Sequence, residues 1–287
     1  MRLEISHTTT YRYANPVRYG LQQLRLWPRS EPTQDVVSWS IDIEGGESEL
    51  SFHDQYGNRV DLVRLSPGAT ETTITAGGEV RTHDMSGVEP RHLGHTPLWL
   101  YERSTPITMP GKGVGRFCDG ARSQPDDITR FHDLSARIRD EVTYQPGHSD
   151  VEFTAEDAIE AGAGVCQDHA HIFITAARVL GYASRYVSGY LMMDDTVDQD
   201  ATHAWAEVWI DGLGWVGFDV SNGISPDERY VRVATGLDYR DAAPIAGMTY
   251  GAGEQSLDVE LQVHSGTETV SRTQHFEPES QQPGGQQ

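Results

Sequence analysis

Cys166 follows a glycine-rich turn, Gly162-Ala-Gly-Val, and precedes a run of apolar residues with helical periodicity. The run ends at Gly181, so the pattern predicts a helix with the cysteine at or next to its N-terminus. Unpaired backbone N–H groups and the helix dipole favour an anion there, and a cysteine thiolate is such an anion. The position alone leaves two interpretations open: a reactive thiol, or a small buried apolar side chain.

Two further side chains with suitable chemistry occur in a predicted pair of antiparallel strands. His203 begins the alternating stretch 203–211, and Asp219 lies near the end of the returning strand 214–220. His203 is eight residues before Asp211 and Asp219 five after Gly214, so their direct opposition needs a bulge or an extended strand end. A nucleophile, a base and a carboxylate that orients the base are what nucleophilic catalysis requires.

Three motifs in this order resemble those of the transglutaminase-like superfamily: Gly-Val-Cys166-Gln-Asp-His-Ala-His, His203-Ala-Trp-Ala-Glu-Val and Gly-Trp-Val-Gly-Phe-Asp219. The segments 3–11 and 54–59 resemble the β-rich N-terminal region of bacterial members described as cysteine proteases. The resemblance implies that Cys166 is the nucleophile, His203 the general base and acid, and Asp219 the orienting carboxylate. Val220 departs from the family pattern, which usually has proline after the aspartate.

The predicted fold class is α+β, with a papain-like or transglutaminase-like core preceded by a β-rich N-terminal domain. In this core a helix N-terminus carries the cysteine, and an antiparallel sheet carries His203 and Asp219. The predicted boundaries are a β-rich domain at 1–85, a turn-rich connection at 86–125, the catalytic core at 126–264 and a disordered tail at 265–287.

Composition narrows the classes of partner and the compartment. A net charge of −21, from 22 basic and 43 acidic residues, argues against nucleic acid and anionic membranes as partners. Because Lys112 is the single lysine of the sequence, we do not expect self-crosslinking through lysine amines. Two cysteines do not make a disulfide framework, and no apolar signal region begins the chain, so we expect a cytoplasmic protein. Cys118 has no catalytic context and is interpreted as incidental.

Two aromatic residues are candidates for the substrate channel. Strand alternation places Trp205 on the same face as His203, although an ordinary core tryptophan is the alternative. For Tyr144 a role in the site wall is implied by the resemblance only. The backbone N–H of Cys166 is the expected oxyanion donor, and the sequence identifies no second donor.

Metal binding is an alternative that the spacing disfavours. His169 and His171, with Asp168 nearby, lie two residues apart on the predicted helix and therefore face different directions. The resemblance places Gln167, Asp168 and His171 in the family motif, where they support the start of the helix. The acidic residues of segment 194–200 lack the glycine-spaced pattern of a calcium loop, so we expect a solvated loop there.

The expected chemistry is acyl transfer from an amide through a thioester, without a metal or an organic cofactor. The amide is that of a peptide, an isopeptide or a glutamine carboxamide, in a peptide, a protein or a small amide. Water as the acceptor makes the protein a protease, amidase or deamidase, and we favour hydrolysis. A primary amine as the acceptor makes it a transglutaminase. Two alternatives from other classes are a non-catalytic binding or assembly module on the same fold, and a metallohydrolase. The latter is disfavoured because the 12 histidines include no HExxH-like spacing.

Overall fold

A computed structural model describes residues 1–147, 152–193 and 202–265, together with the backbone of 268–276. The acidic loop expected at 194–200 lies outside the described residues. The strands are β1 (Arg2–Tyr13), β2 (Tyr19–Leu24), β3 (Gln34–Glu44), β4 (Gly46–His53), β5 (Arg59–Leu65), β6 (Glu71–Thr82), β7 (Val88–Glu89), β8 (Thr143–Tyr144), β9 (Ala163–Gly164), β10 (Ser184–Leu191), β11 (His203–Ile210), β12 (Gly214–Phe218), β13 (Tyr230–Gly236), β14 (Ile245–Tyr250), β15 (Gln255–Ser265) and β16 (Glu268–Phe276). The helices are α1 (Lys112–Ala121), α2 (Asp127–Glu141), α3 (Ala155–Ala161), α4 (Cys166–Val179) and α5 (Tyr239–Ala242), with 3₁₀ turns at Leu98–Glu102 and Pro106–Thr108.

Two antiparallel sheets form the β-rich part of the molecule. One has the strand order β16-β15-β1-β6-β3 and the other has the order β14-β2-β5-β4. Alternation along β1 buries Leu3 and Ile5 and leaves the intervening residues outside, as a half-buried strand requires. Leu24 of β2, Val63 of β5 and Ile74 of β6 belong to one apolar cluster, so the two sheets share a core.

A third antiparallel sheet, with the order β13-β10-β11-β12-β7, packs with the helices. Helix α4 contacts β10 and β11 on one side and α1, α2 and α3 on the others, so nearly all of its residues are buried. Phe131 of α2, Phe173 of α4 and Phe218 of β12 lie with their ring centroids 5.0 to 5.9 Å apart. This aromatic cluster fixes the end of β12 next to α4. The α+β fold class predicted from the sequence is confirmed.

The segment predicted as a turn-rich connection contains the helix α1 and the strand β7, which the sequence did not predict. Glycine lowers helix propensity, and α1 contains three glycines, so local preference argues against a helix there. Tertiary contacts outweigh that preference, since Phe117 and Cys118 are buried against the core. The Glu156 carboxylate of α3 also accepts hydrogen bonds from backbone N–H groups at the start of the helix, those of Gly111, Gly113 and Val114.

The C-terminal strands return to the β-rich part of the molecule. β14 pairs with β2, and β15 pairs with β1 over its whole length, although the sequence-based boundary placed residues up to 264 in the core. β16 pairs with β15, so the structure has a strand at Glu268–Phe276, within the segment for which the sequence predicts disorder. Residues 277–287 lie outside the described part of the chain. The alternation of these segments indicates strands but carries no information about which sheet they join.

Across the described ranges, no helix is both long enough and apolar enough to cross a membrane.

Candidate active site

Cys166 is the first residue of α4, as the sequence predicts, and only 5% of its surface is exposed. Gly162 ends the preceding helix in the left-handed conformation, with φ of 65°. The Asp168 carboxylate accepts a hydrogen bond of 2.7 Å from the Val165 N–H and so closes the first turn of α4. A Cβ atom at Gly164 would lie 2.7 Å from the Asp168 Cβ, so this turn requires glycine. The glycine-rich turn therefore positions the thiol at the start of the helix.

His203 and Asp219 meet across the β11–β12 pair without a bulge. The last paired residues are Ala206 and Phe218, so Asp219 lies diagonally from His203 rather than opposite it. The two side chains span this diagonal, and His203 Nε2 donates to Asp219 Oδ2 at 2.6 Å. The bulge or extension expected for direct opposition is therefore unnecessary, because the side chains are long enough.

The Asp219 carboxylate is fully buried and holds several hydrogen bonds. Its Oδ2 accepts from Asn222 Nδ2 at 2.7 Å and from the Tyr230 hydroxyl at 2.7 Å, in addition to His203. Burial alone raises the pKa of Asp219, but the His203 charge and the three hydrogen bonds outweigh burial and lower the pKa to about 2. The carboxylate therefore stays ionised over the whole physiological range.

The protonation of His203 follows from its two neighbours. Burial by itself lowers the pKa of His203, but the charge and hydrogen bond of Asp219, followed by those of Cys166, raise it to about 10. Because Nε2 is occupied by Asp219, the other ring nitrogen, Nδ1, is left for the thiol. The geometry thus brings together the three residues that the sequence singled out, in the order Cys166, His203, Asp219.

The loop after Asp219 is held by backbone hydrogen bonds rather than by a proline. Asp219 and Ile224 form an isolated antiparallel bridge with N···O distances of 2.9 and 3.2 Å, and Gly223 N–H donates to Asp219 O at 2.8 Å. Val220, at the position where the family usually has proline, is buried in the core cluster with its side chain 2% exposed. With valine at this position, the Asp219 carboxylate still bonds to His203 at 2.6 Å.

The two predicted channel residues lie in different elements, Trp205 on β11 and Tyr144 on β8. Trp205 is 2% exposed, and its ring is roughly parallel to that of His203 with centroids 6.4 Å apart. It also lines a cleft between the N-terminal region and the third sheet, together with Tyr230 and Glu207. Tyr144 is half-buried on β8, which pairs in parallel with β9 directly before the Cys166 turn. Contact of either residue with a substrate remains a prediction.

His169 and His171 serve different parts of the fold. His169 bonds to Val142 O at 2.9 Å through Nε2 and to the Ser221 hydroxyl at 2.8 Å through Nδ1, so it ties α4 to α2 and to the Asp219 loop. His171 Nε2 accepts from Tyr239 N–H at 3.2 Å, and burial lowers the pKa of His171 to about 3. Within the described ranges, no group of three or more potential ligands could hold a metal ion.

Sequence reasoning missed two residues that contact Asp219. Asn222 lies three positions after the aspartate, and its backbone N–H donates to Asp219 Oδ1 at 3.2 Å, a local turn that the sequence pattern could have indicated. Tyr230 comes 11 residues after Asp219 on another strand, and no local pattern points to it. Both are therefore additions from the tertiary structure.

Comparison with known proteins agrees with this architecture. The model of the transglutaminase-like superfamily matches residues 116–220, and that of the bacterial transglutaminase-like N-terminal region matches residues 3–81. An uncharacterized protein of Mycobacterium tuberculosis (strain H37Rv) is 30% identical over 292 residues, covering 91% of this chain and 92% of its own. One from Mycobacterium leprae is 28% identical over 289 residues, covering 91% and 98% respectively.

The chain belongs to the transglutaminase-like superfamily and carries the bacterial N-terminal region of that family, which confirms the resemblance stated from its motifs. A crystal structure named "Putative Cysteine Protease from Cytophaga hutchinsonii" superposes with a TM-score of 0.73 at 20% identity. The match covers 98% of this chain and 92% of the other. At this identity the likeness establishes the shared fold.

Proposed function

We propose that the protein is a thiol-dependent hydrolase that cleaves an amide bond through a Cys166 thioester. The observation that carries this proposal is the 2.6 Å hydrogen bond between His203 and the buried Asp219 carboxylate, with Cys166 at the start of α4 near enough to help raise the pKa of His203. A nucleophile, a base and an orienting carboxylate from one helix and two strands form the arrangement that acyl transfer requires. Membership of a superfamily of cysteine-based enzymes supports the same conclusion.

In the first half-reaction the Cys166 thiolate attacks the amide carbonyl carbon. The oxyanion that forms accepts a hydrogen bond from the Cys166 N–H, one of the N–H groups without an intrahelical partner at a helix start. His203 is protonated at neutral pH, since its pKa is about 10, and it donates its proton to the departing nitrogen. The C–N bond breaks, the amine or ammonia leaves, and the acyl group remains on sulfur.

In the second half-reaction the now neutral His203 takes a proton from water, and the resulting hydroxide attacks the thioester. The C–S bond breaks, the carboxylic acid leaves, and the thiolate and imidazolium are restored. Asp219 holds Nε2–H throughout and does not take the proton, because its pKa is about 2. No metal or organic cofactor enters these steps, and the thiol requires a reducing environment.

The substrate class we propose is a peptide, a protein or a small amide, rather than nucleic acid or a membrane surface. The net charge of −21 repels polyanions and anionic lipids, which supports this choice. We also propose a cytoplasmic location, because the catalytic thiol must stay reduced. A free thiol of this kind is oxidised in compartments where disulfides form.

The test incubates the protein with glutamine peptides, isopeptides and small amides, with and without a primary amine, and identifies products by mass spectrometry. We expect hydrolysis by the wild type and none by Cys166→Ala. Cys118→Ala is the matched control, because Cys118 is also buried but its sulfur faces Ala176 O at 3.6 Å, outside the site.

Product formation that persists in Cys166→Ala contradicts the proposal. Capture of the acyl group by the added amine instead of water assigns the protein as a transglutaminase. A Cys166 that neither forms an acyl-enzyme nor reacts with iodoacetamide favours the non-catalytic module.

A further inference from the structure

We propose that Tyr230 is a positioning residue of this site, whose hydroxyl holds Asp219 in line with the His203 imidazole. This inference rests on the proposed function, because it gives a role within the same triad. It adds a residue that lies on β13, a different strand from β11 and β12, and 11 residues after Asp219 in the sequence.

The hydrogen bonds of Asp219 are distributed unevenly between its two oxygens. Oδ2, which faces the imidazole, accepts from three side chains: His203 at 2.6 Å, Asn222 at 2.7 Å and Tyr230 at 2.7 Å. Oδ1 accepts the Asn222 backbone N–H at 3.2 Å. The Tyr230 hydroxyl therefore bonds to the same oxygen as the catalytic base, and it restricts rotation of the carboxylate away from His203.

The Tyr230 hydroxyl is itself held in a fixed position. Its side chain is buried, and its ring packs edge-on against Trp205 with centroids 5.4 Å apart. The His203 ring lies tilted against it, with centroids 6.0 Å apart. Burial, followed by the negative charge of Asp219, raises the pKa of Tyr230 far above its usual range. Tyr230 thus keeps its hydroxyl proton and donates to Asp219 at neutral pH.

Sharing of Oδ2 has a consequence for proton transfer. When His203 is an imidazolium, its positive charge partly neutralises Asp219, so the bond from Tyr230 is weaker than when His203 is neutral. The Tyr230 hydroxyl therefore stabilises the state with a neutral imidazole more than the state with an imidazolium. It lowers the pKa of His203 relative to a site without this hydrogen bond. An imidazolium that is held less tightly transfers its proton more readily to the departing amine.

Among the described residues, several charged or titratable groups interact with Tyr230, His203 and Asp219. From α4, Cys166 interacts with His203 and His169 with Asp219. Asp227 and Arg229 act on Tyr230 from the segment before β13. Of these groups, only Asp219 bonds directly to the tyrosine hydroxyl.

The N-terminal region fixes the strand that carries Tyr230. Arg232 lies two residues after Tyr230 on β13, and the Gln34 side-chain amide binds its backbone. The amide oxygen of Gln34 accepts from the Arg232 N–H at 2.8 Å, and the amide nitrogen of Gln34 donates to the Arg232 carbonyl at 2.8 Å. The Arg232 guanidinium also pairs with Glu31 at 2.6 Å. Residues of the β-rich N-terminal region are therefore connected to Asp219 through β13 and Tyr230.

Tyr230→Phe tests the inference, because it keeps the ring and removes the hydroxyl. The readout is the titration of the His203 imidazole by NMR in the full chain with ¹⁵N-labelled histidine, assigned with His203→Gln. We expect the midpoint to move to higher pH than in the wild type, where the pKa of His203 is about 10. In a turnover assay kcat falls about tenfold at unchanged KM, the equivalent of roughly 1.4 kcal/mol.

Tyr190→Phe is the matched control. Tyr190 lies on the neighbouring strand β10 opposite Val231, it is buried, and its hydroxyl bonds to His7 Nδ1 at 3.0 Å, away from the triad. We expect this variant to lose stability as Tyr230→Phe does but to leave the His203 midpoint at the wild-type value. A merely structural role for Tyr230 predicts that both variants titrate alike.

An unchanged His203 midpoint in Tyr230→Phe overturns the inference. If that variant does not fold, Asn222→Ala removes another donor from the same oxygen and must shift the midpoint in the same direction, and an unchanged midpoint there also overturns it. The titration needs no substrate. A shifted midpoint in a protein that turns over no amide therefore contradicts the proposed function and leaves the inference standing.

Discussion

Asp219→Asn removes one charge from the site while it keeps the size of the side chain and an acceptor oxygen. His203 has a pKa of about 10 in the folded protein against an ordinary value of 6.5. That difference corresponds to roughly 5 kcal/mol at 1.36 kcal/mol for each pKa unit. Because the folded pKa is the higher one, this stabilisation is fully present below pH 6.5 and disappears as the pH rises through 10.

The variant should therefore lose stability in a pH-dependent way. Asp219 is the main group that raises the pKa of His203, so we take the ordinary value of 6.5 for His203 in the variant. The pH-dependent part of the difference in unfolding free energy is then about 5 kcal/mol at pH 6, about 3 at pH 8 and below about 1 at pH 10. Guanidinium denaturation of both proteins at these three pH values measures the difference directly. The lost hydrogen bonds add an amount that does not depend on pH and so does not change the trend.

The control for this experiment is Asp227→Asn. Asp227 pairs with Arg229 at 2.6 Å, and an arginine does not titrate between pH 6 and 10, so the difference from the wild type should be constant. A difference that is equally constant for Asp219→Asn would refute the assignment of the imidazolium to the His203–Asp219 pair. The same variant should lose about a thousandfold or more in turnover at neutral pH, because the imidazole is no longer oriented.

Two further predictions concern the packing around the site. Arg232→Met removes the buried cation that pairs with Glu31 and Glu207, while Arg29 still pairs with Glu31 and Arg185 with Glu207. We expect a loss of about 3–5 kcal/mol in unfolding free energy, because one partner of a buried ion-pair network is removed. The control Arg229→Met, at a side chain that is 33% exposed, should lose about 1 kcal/mol or less. Equal losses in the two variants would show that the buried ion pairs contribute no more to the unfolding free energy than the exposed pair does. Gly164→Ala forces a Cβ to within 2.7 Å of the Asp168 side chain and should cost about 1–3 kcal/mol and most of the activity. The control is Gly115→Ala, because a Cβ atom at Gly115 would meet open space, and this change should leave stability unchanged or raise it. Equal effects of the two glycine substitutions on thermal melting and on turnover would contradict this account.

Local sequence was sufficient for the elements that carry the reactive groups. The glycine-rich turn and the helical period placed Cys166 at the start of α4, and alternation placed His203 and Asp219 on paired strands. These patterns are local because each residue's backbone preference and its burial on one face repeat within a few positions.

Prediction from the sequence was less accurate where packing overrides local preference. Helix α1 forms despite its glycines because Glu156 satisfies its first N–H groups and its apolar face is buried. The diagonal contact of His203 with Asp219 depends on side-chain reach, which a count of residues from the turn does not contain. Neither result can be obtained from a window of neighbouring residues.

The sequence by itself determined the family, the fold class and the three residues proposed to do the chemistry. Each of these follows from short motifs whose residue types are compatible with few local structures. The tertiary structure alone decided that Tyr230 and Asn222 share the Asp219 oxygen with His203, and that β14 and β15 return to the N-terminal sheets. The physical reason is that two distant segments come into contact where their apolar surfaces are buried and their polar groups are hydrogen-bonded at the same time. Whether both requirements are met depends on the packing of the whole chain and not on neighbouring residues.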